Sequence, residues 1–87
     1  MMIIIMMDLK KYYENRIEWY KKEIEFDTKQ IAWYGKEIKR EKYDWGYSLE
    51  GQAYIRRRNH YYRRRKHDRE SLEKYTKLLQ GENNDKY

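Results

Sequence analysis

The run RRRNHYYRRRKHDR, from Arg56 to Arg69, concentrates most of the chemistry in this chain. Its two arginine triplets start seven residues apart, so Arg56/Arg63, Arg57/Arg64 and Arg58/Arg65 form three parallel columns along two turns of a helix. A guanidinium is a planar fork of donors that grips phosphate or carboxylate through two hydrogen bonds and also stacks on rings. Tyr62 stands beside the triplets, and stacking of an unpaired base on an aromatic ring contributes about 1–3 kcal/mol. Arg56, Arg57, Arg63, Arg64 and Lys66 are therefore expected to face water and hold a phosphate backbone, with Tyr62 as a stacking platform. Arg58 and Arg65 are expected to lean toward a helix–helix seam. A merely solvated helix face usually mixes charge signs, whereas no acid stands between Glu50 and Asp68.

Other chemistries find little support. His60 and His67 are seven residues apart, about 10 Å along a helix, whereas two metal ligands on one helix lie three or four residues apart. No glycine-rich loop is present to cradle a phosphate. Ser48 and Ser71 lack an adjacent base and orienting acid. Glu14, Glu18, Glu25 and Glu37 read as surface charges, with Glu18–Lys22 and Glu25–Lys29 in the favourable order for helix pairs. The expectation is a non-enzymatic binding protein with no catalytic residues, metal, cofactor or small-molecule substrate.

These residues must be positioned by long helices. Four consecutive heptads open on isoleucine, IEWYKKE, IEFDTKQ, IAWYGKE and IKREKYD, from Ile17 to Asp44. A strict seven-residue apolar repeat on a polar background marks a helix packed against another helix. With Ile17, Ile24, Ile31 and Ile38 at position a, position d holds Tyr13, Tyr20, Asp27, Tyr34 and Glu41, and position c holds Tyr12, Trp19, Phe26 and Trp33. The apolar arc from a through d to c spans about 160°. One neighbouring helix cannot cover so wide an arc, and an exposed aromatic strip is rarely tolerated by a soluble monomer. The strip Tyr12, Trp19, Phe26, Trp33 is accordingly expected to be an oligomer or partner interface.

The strongest break in the chain is YDWGYS, Tyr43 to Ser48, where Gly46 can end one helix and Ser48 can cap the next. The expected architecture is all-α. It is a single domain, an antiparallel, coiled-coil-like hairpin of two long helices that dimerises into a four-helix bundle. Helix 1 is placed at about residues 8–43, with Asp8 as its cap and Met7–Tyr12 as a hydrophobic staple, or starting earlier, since Ile3 and Met6 continue columns a and d. The turn is placed at about 44–48, helix 2 at about 49–80 ending at Gly81, and a frayed tail at about 81–87. Folding the chain about Gly46 sets Ile38 against Tyr54, Tyr34 against Arg58, Ile31 against Tyr61, Tyr20 against Leu72 and Ile17 against Tyr75. It also sets Asp27 against Arg65 and leaves Asp68 facing Ile24, a blemish that Arg64 or Arg65 can relieve.

Composition narrows the partners. The 87 residues carry a net charge of +6, with no cysteine and no proline. Through Tyr47 there are ten Lys/Arg against nine Asp/Glu; from Ser48 onward there are eleven against six. Such asymmetry points to an anionic partner for the second half. Lack of cysteine fits a reducing compartment, read here as cytoplasmic. The start MMIIIMM is too short and carries the wrong flanks for a signal peptide or a membrane span, so no membrane partner is expected. Three readings follow. The first is a nucleic-acid-binding protein, for RNA or single strands in particular. The second is a phage- or mobile-element-encoded inhibitor, of the anti-defence (anti-CRISPR) or host-takeover kind, acting on an acidic groove or a protein–RNA complex. The third is a structural coiled-coil assembly protein.

Overall fold

The computed structural model describes residues 2–84 of the chain, with the side chains of residues 9–81. Helix α1 (Met2–Arg40) is followed by strands β1 (Lys42–Tyr43) and β2 (Gly46–Tyr47) and then by helix α2 (Leu49–Asn84). The two helices lie side by side as a hairpin, a rod of 65 × 19 × 14 Å. No described helix is long and apolar enough to cross a membrane.

The turn is more structured than a plain loop. α1 stops at Arg40 rather than near residue 43, because Lys42 pairs with Tyr47 and Tyr43 with Gly46 as two antiparallel strands. Gly46 takes φ 127°, a backbone region that side chains disfavour. The ring of Tyr43 in β1 stacks on that of Trp45 in the turn, with 5.3 Å between centroids and 3° between planes. Ser48 then caps α2 as expected. Its Oγ accepts from the Gly51 N–H at 3.0 Å and donates to Glu41 Oε2 at 2.8 Å. The Ser48 N–H donates to the Glu41 carbonyl at 3.1 Å, so the end of α1 and the start of α2 are tied twice.

α1 takes the earlier of the two starts the sequence allows, and α2 runs past its expected end. α1 is helical from Met2, which puts Asp8 inside the helix instead of at its cap. The side chains of the apolar start, Met1–Met7, and of Asp8 lie outside the described residues, and the staple with them. α2 continues through Gly81 to Asn84. Glycine stops a helix when it turns left-handed, and among the described glycines only Gly46 has positive φ.

The core is a ladder of tyrosines with two acids in the middle. Tyr34 packs between Tyr54 and Tyr61, with centroids 5.9 Å away in each case, and Tyr75 packs between Tyr13 and Tyr20 at 5.9 and 5.8 Å. Tyr34, expected against Arg58, thus enters the hole on either side of it. The fold-back register is close, but the packing is knob-into-hole rather than face-to-face. Tyr20, Ile31 and Ile38 are buried, and so are Asp27 and Asp68.

A constant interval separates Tyr13 from Tyr54, Tyr20 from Tyr61, Asp27 from Asp68 and Tyr34 from Tyr75. The ring packing obeys the same relation. Tyr20–Tyr75 and Tyr61–Tyr34 are both stacked, at interplanar angles of 21° and 23°. Tyr13–Tyr75 and Tyr54–Tyr34 are both tilted, at 48° and 44°. The hairpin therefore has a local pseudo-twofold axis that passes between Asp27 and Asp68.

Two glycines test this geometry in opposite directions. A Cβ on Gly51 would sit 2.9 Å from Glu41 Cβ and 3.3 Å from the Glu41 carbonyl oxygen, whereas one on Gly35 meets nothing within 4 Å. Gly51→Ala should cost about 1–3 kcal/mol through overpacking, more than the helix propensity it gains. Gly35→Ala should stabilise by up to about 1 kcal/mol. Thermal melts followed by circular dichroism read both signs, and a shift in the same direction for the two variants would contradict the close approach of α2 to Glu41.

Candidate functional site

The arginine run occupies the middle of α2, where the helix is held along its length by α1. Arg56, Arg57, Arg63 and Lys66 are exposed, and among the described residues none of them takes part in an ion pair. Arg58 and Arg65 are half-buried as expected, and both guanidinium groups sit near the Tyr62 ring, at 5.7 and 5.5 Å. Tyr62 is 43 % exposed, so its expected role as a stacking platform competes with cations of its own helix.

Arg64 departs from the sequence expectation, which has it facing water with Arg65 opposite Asp27. Instead Arg64 turns inward: its Nη2 donates to Glu23 Oε2, and its Nε lies 3.3 Å from Asp27 Oδ1. Arg65 Nη1 donates to Thr28 Oγ1 at 3.3 Å. The physical reason is the interdigitated packing, which sets Asp27 beside Asp68 and leaves the column of Arg64, not that of Arg65, flanking the pair.

Asp27 is fully buried and Asp68 is 4 % exposed. Oxygens of Glu23, Asp27 and Asp68 all lie within 4.8 Å of one another. Three oxygens at that spacing are sterically able to hold a cation, and Arg64 already delivers a positive charge to two of the three carboxylates. Burial pushes the Asp27 carboxyl up to about 7, helped by the neighbouring Asp68 and the charge of Glu23, against the opposing pull of Arg64. Two carboxylates this close cannot both ionise cheaply, and one shared proton gives the pair a hydrogen bond that two anions cannot make.

The strip Tyr12, Trp19, Phe26 and Trp33 is brought together on one side of α1, each ring 45–51 % exposed. Phe26 meets Tyr61 and the Arg64 guanidinium, and Trp33 meets Tyr34 and Tyr54, so the strip flanks the seam on the Arg64 side. Near the other end of the hairpin, the Arg16 guanidinium lies 5.3–5.9 Å from the rings of Tyr12, Trp19, Tyr20 and Tyr75. Of the two surface pairs expected from sequence, Glu25–Lys29 forms, at 3.2 Å. His60 and His67 do not come together with other ligands into a metal site among the described residues.

Glu23, the Asp27–Asp68 pair and the Arg16 cage do not stand out in the sequence as a site. Their one signal there is the repetition of Tyr-Tyr-Asp-Tyr at heptad spacing in both halves of the chain. The chain matches no protein-family profile, no curated protein and no solved structure, and its functional reading rests on its own geometry.

The carboxyl pair makes stability depend on pH. The Asp27 carboxyl titrates near 7 in the fold and near 3.8 in a free chain. Between those values the folded state binds the extra proton, so stability is fully present below about pH 4 and falls as pH rises toward 7, by at most about 1.4 kcal/mol per pH unit. Asp27→Asn keeps the shape and a donor toward Asp68 without the ionisation. Urea unfolding across this range should show a falling stability for the wild type and a flatter profile for the variant; parallel profiles would remove Asp27 as the cause.

Proposed function

We propose that this protein is a non-enzymatic binder of nucleic acid, which it grips through Arg56, Arg57, Arg63 and Lys66 on α2. The observation that carries the reading is that these four cations are exposed, lie along a rigid stretch of helix, and are left unpaired among the described residues. Elsewhere Lys29 pairs with Glu25, Lys77 with Glu73 and Arg40 with Glu37, while Lys21, Lys22 and Lys36 of α1 are exposed and, among the described residues, unpaired like the arginines. What sets the α2 cluster apart is that no acid stands between Glu50 and Asp68. A cluster of unpaired arginines neutralises phosphates and releases their counterions, which gives affinity without sequence preference. Arg64 has no part in this surface, because Glu23 and Asp27 hold it.

The working form is a dimer joined through Trp19, Phe26 and Trp33. Its support is the half-exposed aromatic strip on α1, since burying an aromatic side chain contributes about 1.5–3 kcal/mol. Two hairpins packed in this way make a four-helix bundle.

Both statements have direct tests. Replacing Arg56, Arg57 and Arg63 together by Gln should leave helicity and melting almost unchanged. It should flatten the salt dependence of binding by about 0.7–0.9 for each phosphate that is no longer neutralised. Fluorescence anisotropy with labelled single- and double-stranded RNA and DNA over a salt series measures it. No binding to any of the four at low salt would retire the reading and leave an acidic protein surface as the partner of the arginines. For the dimer, Phe26→Glu should give a monomer in light scattering, and a wild type that is monomeric at tens of micromolar would refute the assembly.

A further inference from the structure

The pseudo-twofold relation exposes a difference between the two halves of the hairpin. In one half, Arg16 is enclosed by Tyr12, Trp19, Tyr20 and Tyr75. The axis that relates Tyr20 to Tyr61 and Tyr75 to Tyr34 also relates Arg16 to Arg57, Tyr12 to Ala53 and Trp19 to His60. The second half therefore lacks two large rings at the place where the first half has a filled cage. An open cleft of about 500 Å³ occupies that place, lined by Tyr34, Ala53, Arg56, Arg57, His60 and Tyr61. Its size is that of a small-molecule site.

We infer that this cleft takes a single unpaired nucleobase, seated where the rings of Tyr12 and Trp19 sit in the other half, with the adjoining phosphate held by Arg56 and Arg57. The inference rests on the nucleic-acid reading and adds to it the place where a strand is told from a duplex. The cleft has what such a ligand requires. Tyr34 and Tyr61 stack on each other at 5.9 Å and 23°, and the exposed His60 ring stands edge-on to Tyr61 at 5.3 Å and 73°. A planar ring entering beside them has aromatic surface on one side and hydrogen-bonding edges at His60 and the guanidinium groups. Arg57 is the counterpart of a guanidinium that spends itself on four rings, yet Arg57 shows no cation–π interaction among the described residues and stays free for phosphate. Tyr62, the stacking residue expected from sequence, has Arg58 and Arg65 near its ring and is the poorer platform.

The test is to refill the cleft with the rings of the other half. Ala53→Tyr combined with His60→Trp installs side chains that the first half already packs around Arg16. Anisotropy is measured with an oligothymidine and with a duplex of equal length, at one low salt concentration. The wild type should prefer the single strand. The double variant should lose about tenfold more in single-strand affinity than in duplex affinity, the size of one stacked base, because enclosing Arg57 weakens both alike. Should the double variant fail to fold, His60→Ala with NMR of the wild type replaces it. Thymidine monophosphate should then shift the Ala53 methyl and His60 ring resonances, and the His60→Ala variant should lose single-strand affinity alone. A single-strand preference that survives refilling, or no preference in a wild type that binds both, overturns the cleft while the arginine surface stands. A refilled variant that changes its oligomeric state and keeps its single-strand affinity also overturns it, because the occupant is then a ring of a second copy. Binding to neither probe brings down the nucleic-acid reading itself.

Discussion

The structure depends on two carboxyl groups that have to share a buried position. Asp27 and Asp68 meet on the pseudo-twofold axis, at the centre of a seam otherwise built from tyrosine rings and isoleucines. Burying one acid alone would be costly, and breaking a compensated set is costlier than never forming it. The acids are compensated only when they stand opposite each other to share a proton, with the Arg64 guanidinium beside Asp27. The consequence is a fixed register. A slip of α2 along α1 by one heptad sets each acid against tyrosine rings and leaves its charge without the shared proton or the guanidinium. Aromatic ladders are tolerant of sliding because every rung is alike; the acids remove that freedom.

Much of this is legible in the residues, for identifiable reasons. The isoleucine heptads mark α1 plainly, and the Gly46–Ser48 pair locates the turn and the cap, because periodicity and capping are local chemistry. The side chains at the seam are less legible. Whether residues from facing helices meet head-on or interdigitate depends on their mutual rotation, and a rotation of part of a turn exchanges Arg65 for Arg64 as the neighbour of Asp27. Asp68 reads as a flaw opposite Ile24 for the same reason. The strand pair β1–β2 is too short to leave a pattern, and Gly81 carries the same sequence signal whether the helix stops there or continues. Arg56 and Arg63 sit where their heptad column places them, away from the seam under either packing, and Arg57 stays exposed although Arg64 in its own column turns inward.

The two halves share a scaffold and diverge in what they hang on it. The central column of tyrosines and aspartate repeats along both helices. The flanking columns do not: Ile17 and Ile24 have Arg58 and Arg65 as counterparts, and Trp19 and Phe26 have His60 and His67. α1 thus carries most of the apolar surface, and α2 most of the net positive charge. This division leaves Arg56, Arg57, Arg63 and Lys66 exposed on a helix whose own packing asks little of them. It also explains why, among the described residues, the only guanidinium group of the α2 triplets with carboxylate neighbours is the one beside the axis.

The same repetition has a consequence for assembly. A column that reads alike in both helices presents α1 with two equivalent mates, the α2 of its own chain and the α2 of another. The side chains of the seam do not discriminate between them. What discriminates is the connection: the Glu41–Ser48 ties and the close seat of Gly51 under Glu41 hold α2 at a very high local concentration. Loosening that corner leaves the seam intact and removes only its preference for its own chain. The Glu41, Ser48 and Gly51 corner is thereby the safeguard against domain swapping, a task carried by a few turn residues rather than by the core.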